Sequence, residues 1–78
     1  MPTFLEIISV DIFVTNVDTA EKARLLTTIL ENNEHIQCAT VDHEDCDHVL
    51  RTEHTGLNLQ EIMHAVHSCG YTCMEMMD

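Results

Sequence analysis

The chain has 78 residues, 45% of them hydrophobic, with one Pro and two Gly; that is one packed domain, too apolar for a disordered acidic tail. Fourteen Asp and Glu against three Lys and Arg give a formal net charge of −11, which argues against DNA, RNA and anionic membranes as direct partners, because such binding rests on cations that neutralise phosphate. No apolar run approaches the ~18 residues of a membrane span, and no basic stretch leads into an apolar one at the N-terminus, so the expectation is a cytoplasmic protein without a signal peptide.

Phe4 to Val17 is dense in β-branched and aromatic residues, including Ile7, Ile8, Val10, Ile12, Phe13 and Val14. It reads as a long strand covered mostly on both faces, with residues 1–10 as its extended N-terminal segment. Asp18 then stands as a helix N-cap, with Glu21 three residues on as its reciprocal partner. The helix is predicted to run to about Glu31, with Ala23, Leu26, Ile29 and Leu30 as its apolar stripe and Asn32-Asn33 as its end. Ile36 to Asp42 is predicted as a second strand, His43 to Asp47 as a polar turn, and His48 to Glu53 as a third strand broken by His54-Thr55-Gly56. Asn58 caps a second helix, with Glu61 at the matching position and Leu59, Ile62, Met63 and Val66 along one face. Gly70 stops that helix, and Tyr71 to Met76 is the last strand.

Strand, helix, strand, hairpin, strand, helix, strand is a split βαβ arrangement. The predicted fold class is α+β: a ferredoxin-like βαββαβ sandwich, with a four-stranded antiparallel sheet and two helices on one face. The whole chain, 1–78, is a single domain.

The residues that carry these elements resemble a known family. Phe13-Val14-Thr15-Asn16-Val17 before the first helix, Ile36 with Val41-Asp42, Val49-Leu50-Arg51-Thr52-Glu53, and Leu59-x-Glu61-Ile62-x-x-Ala65-Val66-x-x-x-Gly70-Tyr71 resemble the heavy-metal-associated domain of copper chaperones and metal-pumping ATPases. The resemblance covers about Asp11 to Met76. It implies a metal loop after the first strand, where the family carries a Met-x-Cys-x-x-Cys pattern whose two thiolates suit a soft ion. Here the matching stretch is Val17-Asp18-Thr19-Ala20-Glu21-Lys22, with Thr19 and Lys22 at the two cysteine positions. Neither side chain replaces a thiolate, so the resemblance carries over the fold but not the CxxC site. Asp18, Thr19 and Lys22 mark a degenerate metal loop.

In this fold the first βα loop, the hairpin and the last αβ loop share one edge. That edge gathers Asp18, then His43, Cys46 and His48, then His67 and Cys69. His43, Cys46 and His48, flanked by Glu44, Asp45 and Asp47, form a candidate ligand set for a divalent ion or Cu(I), since imidazole with thiolate suits Zn(II), Ni(II) or copper. A solvated polar turn accounts for the same residues without an ion. His64 and His67, on the solvent face of the second helix with Gln60 a turn before, allow the same two readings. The four cysteines match no disulfide scaffold and are expected to be reduced. There is no nucleophile-base pair, phosphate loop or carboxylate pair, so no enzyme activity is expected.

In the register the resemblance implies, Phe13, Thr15 and Val17 point toward the helices, and counting by twos sends Val10, Ile12 and Val14 outward. Cys38 and Thr40, Val49 and Arg51, and Thr72, Met74 and Met76 follow the same parity. The open face of the sheet is thus apolar for a solvated surface, with Ile12, Val14, Val49 and Met74 at its centre, and such a patch marks an interaction site. Two functions follow from the sequence: a protein-interaction or self-association module, paired with a second copy or a protein partner, or a metal carrier or sensor using the relocated His/Cys site.

Overall fold

A computed structural model describes residues 8–76. Six elements follow in chain order: β1 (Ser9–Thr15), α1 (Ala20–Glu31), β2 (Ile36–Asp42), β3 (Val49–His54), α2 (Leu59–Ser68) and β4 (Cys73–Glu75). The sheet order is β2-β3-β1-β4 and every pairing is antiparallel. This is the ferredoxin-like α+β fold.

Strand β1 ends at Thr15, two residues before the expected Val17. Within the described residues pairing begins at Ser9 and stops at Thr15, and Phe4, Leu5 and Ile7 lie outside them. Nor is β1 covered on both faces. Phe13, Thr15 and Val17 are buried, whereas Val10 and Ile12 are 46% and 37% exposed. The two helices cover one face only, so β-branched residues on the central strand are left on the other.

Helix α1 starts one residue later than predicted. Thr19, not Asp18, is the N-cap: its Oγ1 accepts the Lys22 backbone N–H at 3.1 Å. Both residues carry a capping oxygen, and Lys22 decides between them, because its Nζ draws the Asp18 carboxylate into an i,i+4 pair at 2.9 Å. Ala23, Leu26 and Leu30 are buried as expected, but Ile29 is half exposed beside Leu25. Helix α2 is capped by Asn58, whose Oδ1 accepts the Glu61 N–H at 2.9 Å. Its Ile62 and Val66 enter the core, flanked by Leu59 and Met63. Gly70, at φ +93, turns the chain toward β4 in a conformation few other residues adopt. Strand β4 is only three residues long, not the six of Tyr71 to Met76, although the Met76 N–H still donates to the Ile12 carbonyl at 2.8 Å.

Strand β2 needs a bulge. Its register shifts between Ile36 and Cys38, so that Ile36 and Ala39, three apart, both face the helices. Its outer edge is partly closed: the Ala39 N–H donates to the Glu31 carboxylate at 3.0 Å. Strand β3 begins at Val49, because His48 adopts φ +46 and cannot join the ladder.

The core is Phe13, Val17, Leu26, Leu30, Leu50, Ile62 and Val66, with Ala23, Ile36, Ala39 and Cys73 around it. His54, read from sequence as a strand breaker, ends β3 with its ring buried. Its Nε2–H donates to the Asp11 carboxylate at 2.6 Å across the strand pair. Its Nδ1 is buried with no hydrogen-bond partner among the described residues. Removing the carboxylate would leave both ring nitrogens unpaired, and an orphaned buried polar group costs about 1–3 kcal/mol. Asp11→Ala is therefore expected to lower stability in urea by about 2 kcal/mol, and Asp11→Val with His54→Leu to recover most of it. A double variant no more stable than the single one would show that the pair's polarity is not what matters.

Candidate functional site

The edge formed by the β1–α1, β2–β3 and α2–β4 loops is tied together by hydrogen bonds. The Thr15 Oγ1 donates to the His48 carbonyl at 2.6 Å and accepts the Val17 N–H at 3.2 Å. The Thr15 N–H reaches the Asp47 carbonyl at 3.3 Å. The Thr72 N–H donates to the Asn16 Oδ1 at 2.9 Å. One buried threonine thus pins the hairpin to the start of the first helical loop, and Asn16 pins the last loop to the same place.

In the β1–α1 loop, Asp18, Thr19 and Lys22 leave no free ligand pair. Thr19 spends its hydroxyl on the helix cap, and Lys22 spends its ammonium on Asp18. The hydrogen bond and charge of Lys22 hold the Asp18 carboxyl below the usual carboxylate range, and Asp18 raises Lys22 in return. Near neutral pH this loop presents an exposed ion pair beside a capped helix.

In the hairpin, Cys46 converges with Asp45 and Asp47. One donor atom from each lies within 4.8 Å of the others, and all three residues are exposed. His43 and His48 do not join them in such a group. The reason is local: a hydrogen bond of 2.9 Å links the His48 Nδ1 to the His43 carbonyl, which can only accept. That bond turns the His48 ring back onto its own turn. The Asp45 carboxylate meanwhile accepts the Asp47 N–H at 2.8 Å. The sequence set of His43, Cys46 and His48 is therefore adjacent in the chain but not convergent in space. Asp45 and Asp47, noted in the sequence only as flanking charge, are what stands beside the thiol. Their alternation about Cys46 in a tight turn was the available signal. His64 and His67 are both exposed on α2 and share no group of three ligands, nor does Cys69.

The open sheet face is the other feature of note. Ile12 and Val14 of β1 lie beside Arg51 and Val49 of β3, and Val14 also lies beside Met74 of β4. Met74, Val14 and Val49 thus form one row across three strands, and Ile12 and Val10 continue it along β1. Met74 is 69% exposed, and Val14 and Val49 are half-buried. Arg51 pairs with Glu53 of its own strand at 2.6 Å. Among the described residues there is no pocket, and no helix is long and apolar enough to cross a membrane.

No family model and no curated protein matches the chain. Among solved structures it is similar to a CsoZ metallochaperone, with a TM-score of 0.77 at 18% identity over 87% of this chain and 99% of that one. At that identity the likeness establishes the shared fold.

All four cysteines are free, and they differ in surroundings. Cys46 is exposed, whereas burial pushes the Cys73 thiol up from 9.0 to about 11. Thiolate is the reactive form, so two pH units make Cys73 about 100-fold less ionised at pH 8 before its burial is counted. Alkylation at pH 8 should modify Cys46 first and Cys73 only once urea unfolds the chain. The stability due to Cys73 stays whole below pH 9.0 and is lost as pH rises through about 11. Native-state labelling of Cys73 at the rate of a free thiol would contradict its placement in the core.

Proposed function

We propose that the chain is a protein-interaction module: a non-enzymatic, cytoplasmic, heavy-metal-associated-like domain that works through the open face of its sheet rather than through the loop that carries the ion in that family. The carrying observation is the exposed apolar row of Val10, Ile12 and Met74, continued by Val14 and Val49. Scattered apolar residues on a surface need no explanation, but a contiguous row crossing three strands does. The ion pair and helix cap at Asp18, Thr19 and Lys22 support the same reading, since that loop is satisfied by its own side chains. A photo-crosslinking residue at Met74 in living cells should give discrete protein adducts that disappear with Val14→Lys. The same residue at His64, on the far side of the molecule from the sheet's open face, should not. Equal adducts from both positions, or none from Met74, would defeat the proposal.

A second reading, metal handling, rests on the convergence of Asp45, Cys46 and Asp47 and on the metallochaperone name of the structural neighbour. Carboxylates with one thiolate suit a borderline divalent ion such as Zn(II) better than Cu(I). That reading expects Zn(II) binding in calorimetry that is abolished by Cys46→Ser and untouched by Lys22→Ala. A binding curve that survives Cys46→Ser removes the hairpin from consideration.

A further inference from the structure

The charges around the open face say what would cover it. Strand β1 spans seven residues and four strands lie side by side, so the face has a flat footprint of at most about 450 Å² at ordinary strand spacings. A stable interface of standard size buries about 800 Å² on each partner. A second copy stacked on this face would fall well short of that, and it would bring −11 against −11.

The same charge favours the opposite kind of partner. Glu53 lies beside Val10, and Asp42 lies beside Val49. Exposed Glu44, Asp45 and Asp47 stand in the hairpin just beyond Asp42. Cations are scarce: Lys22 is held by Asp18, Arg51 by Glu53, and Arg24 is on helix α1, behind the sheet. The apolar row is therefore bordered by carboxylates, and the one cation on it is committed to a neighbour.

Resting on the interaction reading above, we infer that the open face takes a partner surface that is apolar along its centre and rich in Lys or Arg along its borders. The apolar centre would lie over Ile12, Val14 and Met74. The flanking cations would meet Glu53 on one side and Asp42 with the hairpin on the other. Steering by opposite charge extends the contact beyond the small apolar area. Arg51 acts here as a competitor, because it occupies the Glu53 carboxylate that a partner's cation would use.

Synthetic peptides of about 14 residues, ~20 Å long as helices, test this by fluorescence anisotropy. One carries Leu along one side with Lys at the flanks; a second replaces Leu with Ser; a third replaces Lys with Glu. The Leu/Lys peptide should bind, and its affinity should fall as salt is raised. Ile12→Lys and, independently, Met74→Lys should weaken it about 10-fold or more. Arg51→Gln should tighten it by roughly 2- to 5-fold, the size of an exposed ion pair, an effect that a purely structural role for Arg51 does not produce. Equal binding of the Ser/Lys peptide means that charge alone is read and overturns the inference. Equal binding of the Leu/Glu peptide overturns the partner's chemistry while leaving the interaction face standing. If no peptide binds and the chain instead associates with itself as salt is raised, the occupant is a second copy. If no peptide binds and the chain stays monomeric, this inference fails, and the in-cell crosslinks decide the interaction reading separately.

Discussion

Strand β1 is paired on both sides, with β3 and with β4, and its side-chain alternation sets inside and outside for the whole domain. Phe13 is fully buried at its middle, and Thr15 and Val17 follow on the same side. Helices α1 and α2 are short, twelve and ten residues, and a chain of this length buries only roughly 60% of its unfolded surface. There is apolar surface enough to build one covered face and none to build a second layer. The exposed row on the other face is the direct remainder of that constraint. Its residues on β1 and β3, Val10, Ile12, Val14 and Val49, are β-branched because inner strands favour them whichever way they point.

The edge that carries loops is governed by hydrogen bonding rather than by packing. Thr15, Asn16 and Thr19 each give a side-chain oxygen to a backbone N–H there. The first helical loop therefore holds its shape without a bound group. A likeness of fold at 18% identity is compatible with this, since the sheet and the two helices depend on alternation and caps, whereas ion chemistry depends on two particular side chains.

Much of the architecture was legible in the sequence because its signals were local. Asn58 directly precedes an apolar helical stripe, and Ile36 to Asp42 has strand composition bounded by turn residues, so both elements fell where they were read. The start of α1 was not, because Asp18 and Thr19 are both good caps and the choice depends on where the Lys22 side chain lies. Ile29 has the spacing of a core residue, but the narrow sheet leaves it half exposed. The sequence reads His54-Thr55-Gly56 as a break, whereas β3 ends in the buried ring of His54. Its partner Asp11 shares the parity of Phe13, and only the strand pairing brings the two together. Which hairpin side chains converge depends on the turn in a similar way. Sequence spacing places His43, Cys46 and His48 together, but the positive φ of His48 and its bond to the His43 carbonyl are properties of the turn.

The hydrogen bond from the Ala39 amide to Glu31 has a consequence for how this molecule behaves when crowded. β2 is an outer strand, and an outer strand with unmet amides is a template on which further chains can add. Here one of those amides is already satisfied by a carboxylate from the covering helix, and an incoming strand would have to displace that charge and then lie against it. The opposite border of the sheet, β4, has three residues and little ladder to extend. A domain that shows apolar side chains on its flat face thus has rims that offer an incoming strand little to pair with: one occupied amide on β2 and a three-residue β4.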